Sequence, residues 1–122
     1  MSGIRSRSPL VIGDPHLHAT ADGHVIVRVR GDGPAVVTIR SARPLTSRWL
    51  GGTRARLVRL GEQRLSLPST GTTTIAFALS AEHLALLHRM QTLRTTITVT
   101  TAAGVCRRRV YLHPPRRAPL SS

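Results

Sequence analysis

Aromatic residues are close to absent from this chain. Trp49, Phe77 and Tyr111 are the three in 122 residues. The core must therefore be built from Val, Ile, Leu, Ala and threonine methyls, and Tyr111 alone makes no stacking platform for single-stranded nucleic acid. Acids are scarce too: Asp14, Asp22, Asp32, Glu62 and Glu82 stand against 18 basic residues, all of them arginine, for a formal net charge of +13. A GC-rich genome would favour arginine over lysine, but codon bias does not by itself remove Asp and Glu. Asp14, Asp22 and Asp32 each adjoin Pro or Gly at a turn, Glu62 falls in an expected hairpin loop and Glu82 in a first helical turn. No carboxylate pair is left for acid–base work, and no G-x-S-x-G turn exposes a serine nucleophile. The chain is expected to be no enzyme and to need no cofactor. Its single cysteine, Cys106, excludes an internal disulfide and leaves the redox compartment open. No segment approaches the roughly 20 apolar residues of a membrane-spanning helix.

What is present is alternation. From Leu93 to Thr101 the residues Leu93, Thr95, Ile97, Val99 and Thr101 share one face, with Arg94, Thr96, Thr98 and Thr100 on the other. Threonine and valine are stiff at χ1 and fit a pleated surface better than a helix. Ile75, Phe77 and Leu79 repeat the pattern. Between the two runs Ser80 stands as an N-cap, Glu82 lies in the first turn, and Leu84, Leu87 and Met90 form a helical stripe. A full capping box would need an acid where His83 stands.

Strand signals also run from His16, from Val25 to Arg30, from Ala35 to Arg40, and from Val105 to Leu112. Runs 54–60 and 64–67 flank Gly61-Glu62-Gln63 and predict a hairpin. Residues 41–53 carry Pro44 and Gly51-Gly52 and read as loop, with Trp49-Leu50 plugging one end of the core. The expected organisation is an extended basic N-terminal arm over 1–13, a β-sandwich over 14–112 and a Pro/Arg-rich tail over 113–122. About seven or eight antiparallel strands and one short helix make this an all-β chain.

The stretch GTTTIAFALSAEHLALLHRMQTLRTTITVTTAAGVCRRRVYL, preceded by RLGEQRLSLPSTG, resembles the immunoglobulin-like β-sandwich modules of actinobacterial surface and secreted multidomain proteins. The likeness covers roughly residues 16–112 and implies a passive structural or adhesive module. The N-terminal MSGIRSRSPLVIGDP lacks the apolar segment of a signal peptide. As written, the chain is expected to be intracellular or particle-associated, and extracellular if Met1 is not the natural start.

Three groups of side chains are candidates for function. His16 and His18 point to one face of a strand, as paired metal ligands do, with Asp14 as a third donor; the more ordinary reading is edge-strand histidines at the surface. Cys106 precedes three arginines, which lower a thiol's pKa in principle, but its phase with Val110 and Leu112 makes it an inward apolar residue. That phase also turns Arg108 inward, which requires a bulge, a rim position or a carboxylate partner. The third group is the arginines. Arg28, Arg30, Arg40, Arg94, Arg107 and Arg109 lie opposite the apolar sets, and Arg116 and Arg117 lie on the tail. Such a face suits acidic surfaces of other protein subunits, or copies of the chain itself within a surface fibre, a virion or tail-like particle. The other reading is a sequence-blind, salt-sensitive nucleic-acid contact.

Overall fold

The computed structural model describes residues 8–42 and 57–115. It is all-β with one short helix. Among the described residues eight strands are formed: β1 (Leu10–Ile12), β2 (His16–His18), β3 (His24–Arg30), β4 (Gly33–Ser41), β5 (Arg59–Leu67), β6 (Thr73–Ala78), β7 (Leu93–Thr101) and β8 (Gly104–His113), with helix α1 (Ala81–Met90) between β6 and β7. A three-stranded sheet has the order β1-β3-β6 and a five-stranded sheet the order β2-β8-β7-β4-β5. Trp49-Leu50, Arg116 and Arg117 lie outside the described residues.

The two sheets share one hydrophobic cluster, because period-2 alternation puts every second residue of each strand inward. Val25, Val27, Val29, Ile75 and Phe77 from the smaller sheet meet Ala35, Val37, Ile39, Ile97, Val99, Val110 and Leu112 from the larger. Leu79 is partly buried against this core. Polar groups that enter it are satisfied. The Thr95 hydroxyl donates to the Val110 carbonyl at 3.1 Å, and the Ser41 hydroxyl accepts from the Val58 amide at 2.8 Å.

The structure departs from the sequence reading at four places. Leu10–Ile12, assigned to an extended arm, form β1 and pair antiparallel with β3, with Val11 turned into the core. The pairing is not antiparallel throughout, since β2 runs parallel to β8. The expected hairpin around Gly61 is instead one continuous strand, β5. Gly61 has no left-handed φ and is no turn residue. A Cβ built there would lie 2.7 Å from Phe77 Cδ1, so the glycine makes room for the aromatic ring of the facing sheet. A register shift beside it, between Ile39 and Arg40, lets Leu60 turn inward as well. Finally, Met90 is exposed, and the helix buries Leu86 and Leu87 in place of a stripe ending at Met90.

Helix α1 carries the chain from one sheet to the other, and its ends are built as the sequence requires. The Ser80 hydroxyl accepts from the His83 amide at 3.1 Å, and Gln91 closes the C-terminus at φ 63° with its amide donating to the Leu87 carbonyl at 2.8 Å. Replacing Ser80 by alanine is expected to cost about 1 kcal/mol in a urea titration, with the largest loss of amide protection in the first turn of the helix. His83, in the capping-box position, leaves its buried Nδ1 without a hydrogen-bond partner among the described residues.

Side chains tie the two sheets together at both lateral openings. On one side the Gln63 amide of β5 donates to the Ala76 carbonyl of β6 at 2.5 Å. On the other, Arg108 of β8 donates from Nη1 to the Val11 carbonyl at 3.0 Å and from Nη2 to the Gly13 carbonyl at 2.6 Å. The β7–β8 register is unbroken through Ile97↔Arg108, so no bulge rescues the inward arginine. It reaches the rim, and its partners are main-chain carbonyls, while the neighbouring Asp14 carboxylate accepts from the His16 amide.

Candidate basic sheet face

Alternation along the five-stranded sheet fixes which side chains share its outer surface, and the register arranges them in rows. Arg109, Thr96, Arg40 and Arg59 form one row across β8, β7, β4 and β5. Arg107, Thr98, Thr38 and Glu62 form the next, and Val105, Thr100, Val36 and Arg64 the third. Arg94 stands beyond the first row, opposite Tyr111. Arginines therefore line β8 on one side and β4–β5 on the other, with a strip of threonines between.

Burial shows the relief of this surface. Thr38 is 8% exposed although it faces outward, and Thr96 and Thr98 are half-buried, whereas Arg40, Arg64, Arg107 and Arg109 are exposed. Short hydroxyl side chains form a floor in the shelter of long basic ones, a shallow trough running along β7. Its walls on β8 and β5 stand three strand spacings apart, about 14 Å. Glu62 is the acid in these rows, and Arg59 already faces it at 3.8 Å.

The arginines named from sequence thus divide. Arg40, Arg94, Arg107 and Arg109 come together on this face. Arg28 and Arg30 lie on the outer face of the other sheet, where Arg28 reaches the Thr72 hydroxyl at 3.5 Å. Arg59 and Arg64 join the trough although the sequence reading placed them in and beside a hairpin. Reading β5 as one strand was the signal that would have found them.

At the β2 edge of the same face, histidines gather. His16 pairs with Tyr111 and His18 with His113 across the parallel strands, with ring centroids 5.1 and 4.8 Å apart. Diagonally, His16 Nδ1 lies 3.0 Å from His113 Nε2, their centroids are 5.2 Å apart and their planes 19° from parallel. The centroid separation exceeds the nitrogen separation by nearly two full ring radii, so these two imidazoles meet edge to edge in an N–H···N hydrogen bond. His113 Nδ1 is in turn 3.2 Å from the Thr92 hydroxyl. Asp14 does not join this cluster as a metal donor; its carboxylate accepts from the His16 amide at 2.8 Å and shapes the turn into β2. His113, apart in sequence from the paired histidines, takes the third place. Among the described residues no group of three or more His, Cys, Asp or Glu is arranged to hold a metal ion. Cys106 is partly buried against the core on the inner side of β8.

A two-sheet all-β domain with one basic outer face is what these observations define. No family model matches the sequence, and no curated protein does. Among solved structures the chain is similar to a crystal structure of DesR, a β-glucosidase from Streptomyces venezuelae in complex with D-glucose, with a TM-score of 0.41 and 15% identity. The match covers 87% of this chain and 14% of that enzyme's length.

Proposed function

We propose that this chain is a non-catalytic interaction module, an immunoglobulin-like β-sandwich that serves as a subunit of a larger assembly and engages an acidic partner through the outer face of its five-stranded sheet. The observation that carries the reading is the convergence of Arg40, Arg59, Arg64, Arg94, Arg107 and Arg109 around a threonine floor with Glu62 as the acid among them. Such a face repels a second copy of itself, since each chain carries +13, and attracts surfaces of opposite sign. Guanidinium groups bind carboxylate or phosphate through paired N–H donors, which suits them to docking. The placement of the carboxylates supports a role without catalysis: Asp14 is engaged by the backbone and Glu62 faces an arginine.

The test is a charge reversal with a matched control. R107E/R109E and R28E/R30E change the net charge equally but act on opposite sheets. Retention on a polyglutamate column, read as the eluting salt concentration, is expected to fall far more for R107E/R109E. Both variants should keep the wild-type unfolding free energy in urea to within about 0.5 kcal/mol, as exposed substitutions do. Equal loss of retention in the two variants would show that overall charge binds and that no face is specialised.

A further inference from the structure

We propose that the trough on the five-stranded sheet is a binding track for single-stranded nucleic acid, gripped by its phosphodiester backbone and steered at one end by the ring cluster of Tyr111, His16 and His113. This rests on the reading of that face as an acidic partner's docking surface and narrows the partner to one class.

Shape is the first argument. The floor at Thr38, Thr96 and Thr98 is sheltered and the arginines beside it stand out, so the surface is recessed over the first two rows, while Thr100 in the third is exposed. A broad acidic protein surface would rest on the arginine tips and leave Thr96, Thr98 and Thr38 untouched. A single linear chain descends between walls about 14 Å apart, a gap that arginines reaching inward from both sides can span. Threonine hydroxyls then complete the contacts that guanidinium groups begin, since phosphate oxygens accept from both.

Repeat is the second. Arg107 and Arg109 are separated by two residues of extended strand, about 6.6–6.8 Å, and Arg64 continues the opposite wall past Arg40 and Arg59. Cations at several points along both walls, broken at Glu62 on β5 and Val105 on β8, meet a polyanion that carries one charge per nucleotide. Among the described residues no helix and no two-stranded ribbon projects from this face to enter a duplex groove.

Aromatic content is the third, and it separates nucleic acid from an acidic peptide. The sequence supplies a single tyrosine in this region, but folding brings His16 beside it, His113 against His16 and His18 against His113, and Arg94 stands opposite Tyr111 in the adjoining strand. Imidazole rings and guanidinium planes stack on unpaired bases as phenol rings do. A carboxylate can use these rings only through their N–H and O–H donors, whereas an unpaired base also stacks on their faces. Binding of this kind is blind to sequence and steep in salt.

The experiment is fluorescence anisotropy of the full chain with three labelled probes of equal charge: an oligo-dT 20-mer, the same phosphodiester chain made abasic, and polyglutamate. The oligo-dT is expected to bind in 50 mM salt and to lose about 50-fold in affinity by 200 mM, the loss for roughly four phosphate contacts on a single strand. It should bind at least about five-fold more tightly than the abasic chain, since stacking on even one ring is worth that much. R107E/R109E should weaken it by more than ten-fold, and R28E/R30E by much less. If polyglutamate and the abasic chain bind as well as oligo-dT, the nucleic-acid assignment is wrong while the acidic-partner reading stands. If none of the three binds at 50 mM salt, both fall. The comparison of oligo-dT with the abasic chain uses only wild-type protein, so it decides the base contact without depending on a ring variant that fails to fold.

Discussion

Phe77→Ala should bring this domain close to unfolding, with a loss of about 3–5 kcal/mol in urea denaturation. The whole stability of a domain this size is on the order of 5–15 kcal/mol, so the variant would be marginal at best. The magnitude follows from how the core is made. Phe77 is 2% exposed and, among the described residues, is the one aromatic ring in a cluster otherwise built of aliphatic side chains. Its ring lies over the Cα of Gly61 on the opposite sheet, so the two positions share one space. The converse substitution tests the same contact from the other side. Gly61→Ala puts a methyl group against the ring and should cost about 1–3 kcal/mol, although alanine suits a strand better than glycine. Coupling distinguishes this account from a general effect of altering β5. In Phe77→Leu/Gly61→Ala the smaller side chain yields to the methyl group, and the double variant should be less destabilised than the sum of its parts. Strict additivity would show that Gly61 is required for some other reason.

The same glycine marks where the sequence was legible and where it was not. Alternation exposed β3, β4, β6, β7 and β8, because in each of them side chains of one character recur every second residue along a strand buried on one face only. It failed at β5 because the Leu60 bulge reverses the phase partway, and because Gly61 looks like punctuation unless the ring across the sandwich is known. Two local cues that agree, a phase break and a glycine beside an acid, predict a turn; a contact between residues far apart in sequence overrides them. The candidate site follows the same rule. That Arg94, Arg107 and Arg109 face outward was readable from period two alone. That Arg28 and Arg30 belong to a different sheet was not, since alternation gives the side of a strand and never its neighbours. The histidine cluster depends on β2 lying parallel to β8, a pairing between segments some hundred residues apart that no local pattern encodes.

Arg108 supplies the second large effect, and the sequence showed only that it would be awkward. A charged side chain in phase with Val110 and Leu112 is normally costly, yet here it is the clasp between the two sheets at the β1–β8 opening. One guanidinium spans the carbonyls of Val11 and Gly13, the latter just past the end of β1. Strand β1 has three residues and pairs only with β3, so little else fixes its end. Arg108→Met keeps the apolar stem and removes both donors, and should cost about 2–3 kcal/mol, the range for hydrogen bonds from a charged donor that is partly solvated. Arg108→Lys should recover less than half of that, because an ammonium on a flexible stem does not reproduce the planar fork that meets two carbonyls at once. Hydrogen exchange gives the diagnostic result: amides of β1 and its partners on β3 should lose more protection than those of β4 and β7, which fall only with the global stability. Arg107→Met, one residue away on the outer face, should leave stability within about 0.5 kcal/mol and affect only binding. Were Arg108→Met as stable as wild type, with β1 still protected, the sandwich would be closed at that side by the burial of Val11 alone, and the inward arginine would be tolerated rather than used.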